Sequence, residues 1–304
     1  MAGPPYARPV GDGESDVRVE PPAPSRPNLV RGLALACHPL PTVAVTALAT
    51  AYAVAVGRGL GGSLLVAATV LVGQLSIGWC NDAVDAVRDV RAGRRDKPVV
   101  TGSVSRFVVA RAAGVALLVS VPLSFANGWL AGAVHLLVVA SGWAYDLGLK
   151  ATVASWLPYG VAFGALPAFA SLGLPGAPWP PWWVLAAGTL LGIGAHLANV
   201  LPDVDDDLAA DVRGLPQRLG RRRTAVLMPV PLLLATAALV VGPAGPVAAP
   251  GVVALAAAAL LAATATALGL VRGSTRLPML AAIGVAIVGV ALLVAAGITT
   301  VTPR

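Results

Sequence analysis

The sequence predicts an all-α polytopic membrane protein, with about nine transmembrane helices in one bundle and a polar mouth facing the cytoplasm. Three observations carry that prediction. Of 304 residues, 57% are hydrophobic and 12% charged, against roughly 25% charged in a soluble domain. The apolar residues gather in runs long enough to cross about 30 Å of hydrocarbon. The basic residues collect between alternate pairs of runs, which is the bias that orients helices in a bilayer.

Taken in order, residues 1–28 are polar and proline-rich and read as a disordered cytoplasmic tail. They lack the apolar stretch of a cleavable signal peptide. Residues 29–304 read as one transmembrane domain. Its apolar runs lie at roughly 30–57, 61–80, 106–126, 128–144, 152–172, 182–201, 224–242, 249–271 and 277–298. Connections as short as "RGLGG" (58–62) and "ANG" (126–128) make antiparallel neighbours. Glycine and alanine recur within the runs and permit close helix contact in lipid.

With nine spans the basic loops fall on one side. Arg88, Arg91, Arg94, Arg95, Lys97 and Arg106 follow the second run, Lys150 the fourth, and Arg213, Arg218, Arg221, Arg222 and Arg223 the sixth. Arg272 and Arg276 follow the eighth, whereas the opposite side has little but Arg58 and Arg304. The expected arrangement is a multi-pass protein of the cell's plasma membrane with its N-terminus cytoplasmic and its C-terminus external. The "PGAPWPPWW" stretch (175–183) then lies at the outer interface, where tryptophan is favoured.

Other classes are disfavoured. The net charge of +7 would suit nucleic acid, but in so apolar a chain it is the inside bias of the loops, so no nucleic-acid partner is expected. Cys37 and Cys80 form no CxxC and no disulfide framework or zinc pattern. His38, His135 and His196 lie far apart, in or beside apolar runs, and read as packing residues.

The carboxylates are concentrated. Of 14 acidic residues, four (Asp12, Glu14, Asp16, Glu20) lie in the tail, which leaves ten. Asp82, Asp85, Asp89 and Asp96 follow the second run, Asp146 the fourth, and Asp203, Asp205, Asp206, Asp207 and Asp211 the sixth. Asn81, Asp85 and Asp89 are spaced by four, as are Asp203, Asp207 and Asp211. In a helix each such step turns the face by about 40°, so each trio points one way. Crowded carboxylates repel, and a divalent cation removes that cost. Oxygen donors without cysteine or paired histidine favour a hard ion such as Mg2+. Two clusters across a bundle would hold two or three such ions around a diphosphate. Of 21 basic residues only Lys97 and Lys150 are lysines, and both lie in these loops. Lysine is a compact point charge suited to phosphate. A solvated face of alternating charge would account for one such spacing, but not readily for two at matching span ends. A cation-coupled transporter would place its acids at the bilayer midplane; here they stand at span ends.

These stretches resemble the UbiA-type intramembrane prenyltransferases. "NDAVDAVRD" (81–89) resembles the family's NDxxDxxxD signature, and "DKPVVTG" (96–102) the basic-Pro-x-x-x-Gly stretch after it, with Lys97 where Arg is commoner. "YDLGLKATVASWLPYG" (145–160) resembles the family's Tyr-x4-Lys loop through Tyr145 and Lys150. "NVLPDVDDDLAADVRGLPQRLG" (199–220) resembles its second aspartate motif through Asn199, Asp203 and Asp207, with Asp206 beside them in an unusually dense cluster. "RGLALACHP" (31–39) is similar to its opening stretch. The resemblance covers about residues 29–300.

It implies transfer of a prenyl group from an isoprenoid diphosphate to an aromatic or other lipophilic acceptor, by way of an allylic cation and with membrane lipid as surroundings. It implies Mg2+ on Asn81, Asp82, Asp85, Asp89, Asp203, Asp206 and Asp207. Lys97, Lys150, Arg88 and Asn199 would bind the diphosphate, and Lys150, Tyr145, Asp85 and Asp203 would act in catalysis. Relatives of this fold also cyclise prenyl diphosphates or transfer phosphoribose to a polyprenyl phosphate. A cyclase favours an aromatic-lined chamber, and only 5% of this chain is aromatic.

Overall fold

The computed structural model describes residues 28–91, 94, 97–271 and 276–295. Residues 1–27 of the tail, Arg95, Asp96, Arg272 and the chain end with Arg304 lie outside the described residues. Every regular element among the described residues is helical.

Helix α1 (Leu29–Ala36) begins where the Asn28 side chain accepts the Arg31 N–H at 3.0 Å. It stops at Cys37, and α2 (Pro39–Ala55) restarts with proline in its first turn. Between them His38 adopts left-handed angles (φ 55°, ψ 70°), and the two helices meet at 65°. This elbow rests on α3 (Gly59–Arg91) at Gly78. A Cβ there would stand 2.3 Å from the Cys37 carbonyl oxygen, so only glycine allows the contact. At 33 residues, α3 is about 50 Å long against about 30 Å of hydrocarbon. It therefore carries its last turns, with the first acidic cluster, out of the apolar layer on continuous helix.

Then come α4 (Arg106–Ala126), capped by Ser105 accepting the Val108 N–H, α5 (Trp129–Leu147), α6 (Leu157–Leu172) and α7 (Trp182–Val200). Three short helices follow, α8 (Val204–Ala209), α9 (Leu215–Leu219) and α10 (Arg221–Leu227), before α11 (Pro229–Val241), α12 (Ala249–Val271) and α13 (Leu277–Ala295). Neighbours in sequence pack side by side, and α13 returns onto α7 and α2 to close the bundle. Each predicted apolar run is helical over most of its described residues. Among the described residues six helices are long and apolar enough to cross a membrane, and seven if α1 and α2 form one bent span. Leu157–Leu172 and Leu277–Leu292 are apolar but shorter.

At the end of the bundle away from the acidic loops, Arg58 donates to Asn127 Oδ1 at 2.7 Å and to the Ala170 carbonyl at 3.5 Å. Asn127 donates to Thr69 Oγ1 and to the Leu123 carbonyl, both at 3.0 Å. This knot ties the α2–α3 turn, the α4–α5 turn and α6 together. Deeper in, His135 Nδ1 meets Ser124 Oγ at 2.7 Å, and its ring lies 4.8 Å from Phe169. His135 is the packing residue the sequence suggests.

Candidate active site

Asn81, Asp85 and Asp89 share one face of α3, as their spacing predicts, and Asp85 and Asp89 are buried. Lys150 Nζ contacts Asp85 Oδ1, and Arg88 donates to Asp85 Oδ2 at 2.7 Å. Asn81 donates to Asp146 Oδ1 at 2.8 Å. Lys150 stands in a 3-10 turn, Leu149–Ala151, just after α5. A chain loop far from α3 in sequence thus delivers the lysine to the first aspartate cluster.

The second cluster is built otherwise. Its predicted helical trio is not on one helix. Asp203 ends a 3-10 turn (Leu201–Asp203), Asp207 lies on the six-residue α8, and Asp211 lies beyond it at φ 60°. Aspartate is a poor helix former that tolerates left-handed angles, so the helix ends inside the run. Asp211 pairs with Arg213 at 2.8 Å, both exposed, away from the other two. Asp206 is exposed. Asp207 accepts from Gln217 at 2.8 Å, and Asp205 lies 3.8 Å from Arg221.

Arg94 joins the clusters. It lies 3.8 Å from Asp89 on α3 and 2.8 Å from Asp203 after α7. The third loop joins them too. Ser155 Oγ accepts the Leu215 N–H at 3.0 Å, and Gly214 lies so close that a Cβ there would be 2.5 Å from the Lys150 carbonyl oxygen. Three segments remote in sequence therefore converge at one end of the bundle.

Asp82, predicted among the metal ligands, is placed differently from its neighbours. It is 2% exposed, accepts from Lys97 Nζ at 2.6 Å and lies 3.1 Å from His38 Nε2. Lys97, expected on a diphosphate, here fastens the segment after α3 to α3 and to the elbow. The reason is one of helical phase: residue 82 is turned about 100° from residue 81.

Below the carboxylates stands an aromatic wall. The Tyr145 ring is edge-on to Tyr159 at 5.2 Å and to His196 at 5.7 Å, and Tyr159 stacks on Phe163 at 6.4 Å. Asn199 donates to the Tyr159 hydroxyl at 3.1 Å. Phe163 in turn lines an apolar cavity of about 110 Å³ with Ala49, Tyr52, Leu191, Leu239 and Val285. The wall leads from the charged end into the bundle's interior.

Arg94, Asp146, Gln217, Ser155, Tyr159 and Phe163 are not among the site residues the sequence predicts, and His38 and His196 read there as packing residues. Adjacency to Tyr145 was the available signal for Asp146. Only the folded chain brings the others together.

The donors suit a hard divalent ion in kind, being carboxylate and amide oxygens. Among the described residues no three His, Cys, Asp or Glu side chains converge to hold one. The carboxylates are instead held by cations: Asp85 by Lys150 and Arg88, Asp203 by Arg94. Two further carboxylate oxygens, Asp82 Oδ2 and Asp146 Oδ2, are buried without a partner. The set fits a cation together with a polyanion, because a phosphate draws off the same lysine and arginines that cover the carboxylates.

The family model for the UbiA prenyltransferase family matches residues 40–276. An apo structure of a UbiA homologue from Aeropyrum pernix K1 superposes with a TM-score of 0.67 at 19% identity, over 84% of this chain and 98% of that one. A UbiA homologue from Archaeoglobus fulgidus bound to DMAPP and Mg2+ superposes with a TM-score of 0.62 at 17% identity, over 88% and 97%. Digeranylgeranylglyceryl phosphate synthase gives 0.58 at 16% identity, over 85% and 98%. At these identities the likeness establishes the fold. No curated protein sequence matches the chain. Its family match spans most of the bundle, from the start of α2 to the start of α13, and the chain accordingly belongs to the UbiA prenyltransferase family of enzymes.

Proposed function

We propose that this enzyme transfers a prenyl group from an isoprenoid diphosphate to an aromatic or other lipophilic acceptor, with Mg2+ as cofactor. The observation that carries the reading is Arg94 between Asp89 and Asp203, which draws both acidic segments to one spot beside Lys150. That spot stands at the head of an aromatic wall leading to an apolar cavity, the shape of a charged head group on a hydrocarbon tail.

Asn81, Asp85, Asp89, Asp203 and Asp207 would hold Mg2+, which when bound neutralises charge on the diphosphate leaving group. Asp206 is exposed beside Asp207 and stays a candidate ligand, while Asp82 serves as a tie. Lys150 and Arg88 exchange Asp85 for phosphate oxygens as negative charge grows there. The C–O bond of the prenyl diphosphate breaks, the electron pair leaves with diphosphate, and the Tyr145 and Tyr159 rings face the allylic cation. The cavity holds the tail and excludes water. The acceptor attacks the cation and loses a proton.

We also infer nine spans, with α6 and α13 completing the bundle and the site at the cytoplasmic face of the plasma membrane. The two-sided distribution of basic residues supports this. Single cysteines at Thr101 and Arg213, in a background lacking Cys37 and Cys80, should label from the same side; opposite sides would break the site apart.

The reading is tested by incubating the purified protein and Mg2+ with labelled prenyl diphosphates of several lengths, with and without a membrane lipid extract. Label is expected in extract-dependent products. Label in hydrocarbons or terpene alcohols alone would make the enzyme a cyclase of the same fold.

A further inference from the structure

His196 lies on α7 seven residues before Asp203, two helical turns and about 10 Å deeper in the bundle. It is 1% exposed. Its Nε2 lies 3.0 Å from Ser155 Oγ, and its ring packs against Tyr145 at 5.7 Å and Tyr159 at 5.0 Å. Its Nδ1 is buried and has no hydrogen-bond partner.

Ser155 decides which nitrogen carries the proton. Its hydroxyl oxygen already accepts the Leu215 N–H at 3.0 Å, and the residue is 0% exposed. Were Nε2 protonated, it too would donate to that oxygen. The Ser155 hydroxyl proton and the Nδ1 lone pair would then both be buried unpaired. With the hydroxyl donating to Nε2, one unpaired group remains, the Nδ1–H. Fewer unpaired buried groups favour the second tautomer.

A buried N–H without an acceptor, set among aromatic rings below the carboxylates, has no match on a prenyl chain, which is hydrocarbon at that depth. It matches an oxygen on the other substrate. We propose that the Nδ1–H of His196 donates a hydrogen bond to a hydroxyl, carbonyl or carboxylate oxygen of the prenyl acceptor, holding it against the Tyr145–Tyr159 wall. The acceptor is thereby an oxygen-bearing molecule and not a plain hydrocarbon. Ser155, fixing the tautomer while accepting from the segment that carries Gly214, is a positioning residue that ties acceptor binding to docking of the second acidic loop.

This inference rests on the transferase reading, and the test separates the two. Asparagine places an N–H near the position of Nδ1, whereas glutamine places its amide near Nε2. Both variants are assayed with a labelled prenyl diphosphate at saturation and a membrane lipid extract, diluted stepwise, as the acceptor source. His196→Gln should raise the apparent KM for the extract about tenfold, the weight of one hydrogen bond, and leave that for prenyl diphosphate unchanged. His196→Asn should stay within about twofold of wild type. An impaired His196→Asn with a normal His196→Gln would show that the tie to Ser155 is all that matters, and two normal variants would remove His196 from acceptor binding. A measurement on the wild-type protein stands apart from activity and from variant folding. The 15N spectrum of labelled histidine should show Nδ1 of His196 protonated and Nε2 not, and the reverse pattern overturns the proposal. Wild-type protein that makes no extract-dependent product would instead bring down the transferase reading itself.

Discussion

The two acidic segments carry the same four-residue spacing and are built in opposite ways. Residues 81–89 ride on uninterrupted α3, and the Asp85 and Asp89 side chains are 8% and 4% exposed. Residues 203–211 are divided between a 3-10 turn, the short α8 and a left-handed residue, and the Asp203 and Asp205 side chains are 43% and 72% exposed. Spacing in sequence therefore fixes neither backbone nor burial. The first segment is a platform set by the helix that crosses the bundle. The second is joined to it by Arg94 through a partly exposed pair, and such pairs contribute at most about 1 kcal/mol, so its firmer tie is the Leu215 N–H on buried Ser155.

The sharpest way to break this contrast is to remove one aspartate from each side. Asp85→Ala and Asp203→Ala should both lower kcat by about 10³-fold or more, because each removes a carboxylate proposed to hold Mg2+ at the diphosphate. They should part in stability. Asp85→Ala leaves the Lys150 side chain, 11% exposed, without its partner and should cost about 1–3 kcal/mol. Asp203→Ala should stay within about 0.5 kcal/mol. Thermal unfolding in detergent reads the difference, and equal losses would mean that the second segment is as rigid as the first.

Lys150→Ala comes next, with kcat lower by about 10²-fold at saturating prenyl diphosphate and Mg2+, comparable to loss of an oxyanion donor. Lys150→Arg should rescue in part, since a planar fork does not reproduce a point charge. A lysine that only anchors at the lipid interface would leave kcat near normal in both.

The smallest effect is expected at Asp211. It has the motif's spacing but pairs with exposed Arg213. Asp211→Gly, which suits the left-handed backbone, should leave kcat unchanged and stability within about 0.5 kcal/mol. A large loss of activity would return Asp211 to the site and restore the uniform helical trio.

The helices were legible in the sequence because apolar runs bounded by charge are a strong signal in a bilayer protein. The first cluster was legible for the same reason, since its four-residue period continues the helix that precedes it. The second was legible in composition and not in shape, because whether a run of aspartates continues a helix depends on what its backbone meets afterwards. Here that is Ser155, sixty residues from Leu215 in sequence. Arg94 was visible only as one basic loop residue among many. Its role depends on where α7 ends relative to α3. His196 looked like the buried His135, and what sets it apart is a buried Nδ1 without a partner beside the Tyr145 and Tyr159 rings.

The knot of Arg58 and Asn127 acts as a clasp. Asn127 is 4% exposed and Thr69 0%, so pulling these groups apart strands buried donors and acceptors. Arg58 and Asn127 thereby stitch the α2–α3 turn, the α4–α5 turn and α6 into one seam, so that loosening any one of these connections strains the other two.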